Sequence, residues 1–240
     1  MNLKKIGMLV CFLLIFSFET VSAKSIENYY GIIINDKEYK TLSKYYSEDF
    51  LYFMDDNEYS NIISGDLNNI RVNEYDLSND KNIVPFATTI STNYKTLRIV
   101  NNSGYITISL SWTTMPKVRS YDVIAARLVS TSISGDVVFK QTFKENGMLR
   151  FSREGYIQRF DNGIGYSFKL SDNNDLKSYL SFRASGSGII YASYQHSQKN
   201  ITLEKSKQYT LAPTGYGSVI LFNNNVKNNY DAMNGVSITL

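Results

Sequence analysis

His196 is the only histidine in the chain, and histidine is the side chain whose ordinary pKa suits proton transfer near neutral pH. It stands beside Ser197, with Ser193 and Tyr194 just before it. A Ser–His–acid site needs a serine nucleophile and an orienting carboxylate brought in from elsewhere in the fold. No Gly-x-Ser-x-Gly elbow surrounds a serine; the nearest string, Ala184-Ser-Gly-Ser-Gly188, falls between two strand-like segments and reads as a turn. His196 is therefore expected to end a strand and to pack or hydrogen-bond there. Paired carboxylates could hydrolyse glycosides. Asp136, Glu145, Asp161, Asp172 and Asp175 all sit in turn-like sequence, where short acids are favoured. Asp122 and Glu154 lie near strand starts without a turn role, and nothing in their spacing pairs them. Asp172-Asn-Asn-Asp175 offers oxygen ligands for calcium, but no glycine and distal glutamate follow as in an EF-hand, so an Asx turn is expected. One Cys and one His exclude a Cys/His metal cluster. The expectation is a non-enzymatic protein with no catalytic residue, no metal and no cofactor. A hydrolase on a β scaffold using His196 is the alternative held against it.

Binding makes fewer demands. Residues 82–240 hold seventeen Lys and Arg against nine Asp and Glu, within a chain of net charge +3 that has 19 Tyr and 13 Phe. Basic side chains with many tyrosines suit an anionic cell-wall polymer, a glycan or an acidic lipid surface. Lys199, Lys205 and Lys207 form the one local basic cluster and are the candidate binding residues.

The elements that would position these residues are strands. Tyr105–Trp112 alternates strictly, with Ile106, Ile108, Leu110 and Trp112 on one face and Thr107, Ser109 and Ser111 on the other. Such a strand could sit in a sandwich with one wet face, or line a membrane pore. Further strands are expected over 96–100, 121–129, 136–143, 155–160, 165–170, 178–184, 189–196, 208–211, 218–222 and 236–240. Asn102-Ser-Gly104, Ser134-Gly135, Glu145-Asn-Gly147, Asp161-Asn-Gly163, Ser185–Gly188 and Thr214-Gly215 would separate them as turns. A short helix is expected between Asn225 and Met233. Many short strands with Gly/Asn turns, and no internal repeat, predict an antiparallel β-sandwich over 93–240.

Ahead of it, residues 24–81 carry twelve acids and six bases. Asn35-Asp-Lys-Glu38 resembles a capping box, Ser47-Glu-Asp places acids in a first helical turn, and Asp55-Asp-Asn-Glu58 repeats the box. Three short helices ending near Ser64-Gly65 are expected, making 24–65 a small acidic α-helical segment, with 66–92 as linker. The string Ile34-Asn-Asp-Lys-Glu-Tyr39, then Leu42, Ser47-Glu-Asp, Met54 and Glu58-Tyr59, resembles a short module near the start of uncharacterised secreted proteins of low-GC Gram-positive bacteria. The resemblance covers about residues 33–63, departs from the module at Phe50-Leu51, implies a Gram-positive secreted protein, and carries no catalytic residues.

Residues 1–23 have the form of a secretory signal peptide. Lys4 and Lys5 precede an apolar run from Ile6 to Phe18, and Val21-Ser-Ala23 places small residues for cleavage after Ala23. Cys11 lies inside the apolar run, so the mature chain would be cysteine-free. Extracellular release, or retention at the cell surface by non-covalent contacts alone, is expected, with no transmembrane segment in the mature chain and no nucleic-acid partner. The opposite charges of the two halves leave one more alternative: a toxin or bacteriocin-like membrane-active protein masked by its acidic head.

Overall fold

The computed structural model describes residues 25–65, 87–213 and 217–240. The signal segment with its cleavage position after Ala23, residues 66–86 of the expected linker and the Thr214-Gly215 turn lie outside the described residues.

The head opens with two short strands, β1 (Ile26–Glu27) and β2 (Ile33–Ile34). Helices α1 (Asp36–Leu42), α2 (Glu48–Tyr52) and α3 (Asp56–Ile63) follow. All three start where the caps place them. Asn35 and Asp55 each accept from the backbone N–H three residues on, and Glu38 and Glu58 return the bond to the cap backbone. Ser47 caps α2. Buried Asn28 ties the hairpin down: its amide donates to the Met54 carbonyl at 2.6 Å, and its Oδ1 accepts from the N–H groups of Tyr30 and Ile32. Ile32, Ile34, Leu42, Phe50, Leu51, Met54 and Ile62 make a small core of the head's own.

The remaining strands are β3 (Ala87–Ser91), β4 (Lys95–Asn102), β5 (Tyr105–Trp112), β6 (Tyr121–Glu145), β7 (Met148–Ser152), β8 (Tyr156–Phe160), β9 (Gly163–Lys169), β10 (Asn174–Gln195), β11 (Tyr209–Leu211), β12 (Ile220–Phe222) and β13 (Val236–Thr239), with helix α4 (Leu203–Ser206) between β10 and β11. Nine of them join in one antiparallel sheet ordered β3-β4-β5-β10-β6-β9-β8, with β13 on β10 and β7 on β6. The sheet folds into a sandwich because β6 and β10, paired along their length, serve both layers. The first half of β10 pairs with β5 and its second half with β13; the first half of β6 pairs with β9 and its second half with β7. The register shifts at Phe182/Arg183 and Gly186/Ile189 mark the bend. Phe139 of one layer stacks on Tyr166 of the other at 4.1 Å, and Leu97, Ile99, Ile106, Ile108, Leu110, Ile124, Leu180, Phe182 and Ile190 fill the space between.

The mainly-β antiparallel sandwich predicted from alternation is thus the fold. Several elements differ. Segments 121–129 and 136–143 are one strand, as are 178–184 and 189–196, so Ser134-Gly135 and Ser185–Gly188 are bends inside paired strands rather than turns. Strand β7 was not expected. Strand β3 lies inside the stretch expected as linker. The helix expected at 225–233 is only a 3-10 turn over Lys227–Asn229.

Each outer face of the sandwich is covered. The head packs on the first layer, its core continuing onto Val100, Tyr105 and Tyr179. The wet face of β5, with Thr107, Ser109 and Ser111, borders a cavity of about 330 Å³ together with Tyr45, Tyr46 and Ser47 of the head. Residues 201–213 and 217–230 cover the second layer, packing Tyr209, Leu211, Val219, Ile220 and Tyr230 on Val123 and Ala125.

Candidate functional site

Alternation along a half-buried strand keeps one phase apolar. At one end of this sandwich the core-facing phase turns polar on four strands at once. Lys95 is in phase with Leu97 and Ile99 on β4, and Trp112 with Ile108 and Leu110 on β5. Asp122 is in phase with Ile124 and Ala126 on β6, and His196, just past β10, with Ala192 and Tyr194. The double use of β6 and β10 brings these ends together. The Trp112 ring meets the His196 ring edge-on at 4.9 Å, and the Lys95 ammonium lies 5.2 Å from the Trp112 centroid and 5.0 Å from that of Tyr194.

Asp122 is wholly buried and satisfied on every side. Its carboxylate accepts from the Ser197 backbone N–H at 2.8 Å and from the Tyr194 hydroxyl, and both its oxygens lie 3.0 Å from His196 Nδ1. Burial pushes its pKa up, against the opposing pull of His196, Tyr194 and the Ser197 N–H. Burial and the adjacent Asp122 charge also push the Tyr194 hydroxyl well above its ordinary value. Facing a carboxylate, Nδ1 of His196 donates. Asp231 closes the network by pairing with Lys95 and accepting from the His196 backbone N–H at 2.9 Å. A cavity of about 540 Å³ opens beyond these groups, bordered by Trp112, His196, Lys95, Asp231 and the rim residues Tyr94 and Lys117. Tyr94 is 59% exposed, and Lys117 is also exposed.

A second cavity, of about 530 Å³, lies in the seam between the head and the same end of the sandwich. Tyr39, Asp49 and Tyr52 border it from the head; Trp112, Lys144, Asp175 and Lys177 border it from the strands. Lys177 pairs with Asp49 at 2.5 Å and Lys144 with Asp175 at 2.7 Å. Asp49 also accepts from Tyr179 at 2.9 Å and from Thr142. Burial raises the Asp49 pKa, but Lys177 and the hydrogen bonds from Thr142 and Ser47 outweigh it and hold the carboxyl below its ordinary value.

His196 thus ends a strand and hydrogen-bonds there, as its sequence context suggested. Ser193 and Ser197 are occupied elsewhere: the Ser193 hydroxyl accepts from the Val219 N–H at 2.8 Å, and that of Ser197 donates to the Lys199 carbonyl at 2.6 Å. Glu154 is exposed between β7 and β8, and Asp122 serves His196. Of the Asp172–Asp175 string, Asp175 adopts a positive φ of 54° and pairs with Lys144. Among the described residues, no group of three or more His, Cys, Asp or Glu side chains is placed to hold a metal ion. Lys199 is exposed in the loop after β10, and Lys205 and Lys207 lie at α4. Lys207 is engaged by Glu204 at 2.6 Å and lies over the Tyr156 ring at 4.4 Å. Sequence reasoning missed Lys95 and Asp231. Lys95 carried a signal: a lysine two residues before Leu97 on the apolar phase of a strand. Asp231 sits in irregular chain with no such phase.

No family model, no curated protein and no solved structure matches this chain. Among the described residues, no helix is long and apolar enough to cross a membrane.

Proposed function

We propose that this is an exported, non-catalytic β-sandwich that binds an anionic component of the cell envelope or of a host surface at the open end of the sandwich. The cavity ringed by Lys95, Trp112, His196 and Asp231, with Tyr94 and Lys117 on its rim, carries this reading. The core ends here in the paired Lys95, Asp122 and His196 beside the Trp112 ring, facing a cavity of ligand size. Lys95 is neutralised by Asp231, so the exposed Lys117 supplies the attraction for an anion, and Tyr94 and Trp112 supply flat apolar contact. The engagement of Ser193 and Ser197 favours binding over acyl transfer, because His196 lacks the hydroxyl it would activate on its own strand. The test is co-sedimentation of the mature chain with Gram-positive cell walls and with anionic liposomes, at low and high salt. Binding to one of them that weakens steeply with salt is expected. Indifference to both at every salt concentration would end this reading.

A further inference from the structure

The open-end cavity and the seam cavity share one wall, the indole of Trp112. We propose that they are the two halves of one cleft for an extended acidic glycan chain, and that the head is the far wall of that cleft and not a cover over it. This rests on the binding reading above and assigns its ligand class.

Three observations carry it. The cavities measure about 540 and 530 Å³, each of the size of a single ligand pocket, and they meet at a half-buried aromatic ring. On each side of that ring stands a second exposed aromatic residue, Tyr94 at the open end and Tyr52 on the head. Flat rings on both sides of a central indole suit successive sugar rings. On each side there is also an ammonium–carboxylate pair, Lys95–Asp231 and Lys144–Asp175. Such pairs offer donors and acceptors to hydroxyl groups and would desolvate at a loss against an acyl chain, which disfavours a lipid. The acidic group of the chain belongs at Lys117, because the seam is already rich in carboxylates.

The head suits this role. No backbone–backbone hydrogen bond joins it to the sandwich among the described residues. It is held by side chains, Asp49 to Lys177, Glu58 to Lys140 and Asp55 to Arg153, and by an apolar core that it shares with Val100, Tyr105 and Tyr179 of the sandwich. Its docking therefore builds the seam wall.

Trp112 is the only tryptophan of the chain, so its fluorescence reports on the shared wall alone. The probes are gluco-oligosaccharides of two and of eight sugars that each carry one terminal glucuronic acid, titrated into the full mature chain. Lys117→Ala and Tyr52→Ala alter exposed side chains, one on each side. We expect the eight-sugar fragments to shift the Trp112 emission and to lose about tenfold in affinity in each variant. The two-sugar fragments should be weakened by Lys117→Ala only. If the long fragments are weakened by Lys117→Ala and not by Tyr52→Ala, the cleft stops at Trp112 and the proposal falls, while open-end binding stands. If the protein sediments with cell walls or liposomes but binds neither fragment, the glycan assignment falls alone. If it binds none of these, both readings fall together.

Discussion

Lys140 and Glu58 meet at 2.6 Å with both side chains 1% exposed. Lys140 also donates to the Phe53 carbonyl. Burial raises the Glu58 pKa and lowers that of Lys140, and each charge opposes the other's shift. A carboxyl with a raised folded value contributes stability that is complete only below the ordinary glutamate range and is lost as pH rises through the folded value. An ammonium with a lowered folded value contributes above the ordinary lysine range and loses that contribution as pH falls through the folded value. At neutral pH, between the two, the charged pair carries a desolvation cost on both sides. Breaking it should therefore hurt more than replacing it. Lys140→Met alone should destabilise the protein by about 3–5 kcal/mol, because it strands a buried carboxylate. Lys140→Met with Glu58→Gln, which keeps a side chain able to complete the Asp55 capping box, should return to within about 1 kcal/mol of the wild type. Urea unfolding of the set at neutral pH measures this, and a double variant at least as unstable as Lys140→Met would contradict it. At this scale the sequence marked His196 as a strand-end histidine and Asp122 as an acid with no turn to serve. It could not show that they meet, because their contact depends on two long strands folding over together.

Those strands, β6 and β10, are where reading by element went furthest astray. Glycine and serine between two alternating runs are a turn signal, and the same residues suit a bend within a strand. The difference lies in the partner. Ser134 lies opposite Arg183, and Ser185 and Gly186 lie opposite Ser132 and Thr131, so each strand stays paired with the other through the bends and both continue. No local pattern contains that information. Helices α1 to α3 and the hairpins at Asn102–Gly104 and Asp161–Gly163 were legible because caps and tight turns are encoded within a few residues. Strand β7 is short and weakly patterned, and β3 is short and rich in Thr and Ser, so neither stood out. The bend is tight enough to test: a methyl group on Gly188 would run into the Val129 carbonyl oxygen. Gly188→Ala should cost about 1–3 kcal/mol by forcing the paired backbones apart. Gly135→Ala meets nothing nearby but has φ +89°, so it should cost only the backbone strain of about 1 kcal/mol. Thermal unfolding of both variants checks the order; a harmless Gly188→Ala would show that the bend is not packed as described.

For the whole molecule, the opposite charges of head and sandwich now have a structural reason. Lys140, Lys177 and Arg153 of the basic half are spent on Glu58, Asp49 and Asp55 of the acidic half, and two of these pairs have a buried carboxylate. Charge asymmetry read along the chain cannot tell internal pairing from attraction to an outside partner. Once internal pairs are set aside, the exposed Lys117 at the cavity competes for an anionic partner with exposed cations elsewhere on the basic half, Arg159, Lys169, Lys199, Lys205 and Lys227 among them. The decisive measurement compares Lys117→Glu with Lys205→Glu in low-salt co-sedimentation with Gram-positive cell walls, because both substitutions change the net charge equally. Binding at the open end predicts that Lys117→Glu loses most of the sedimented fraction and Lys205→Glu keeps it. Equal losses, or a loss confined to Lys205→Glu, would contradict binding at the open end and return the interaction to the surface around α4.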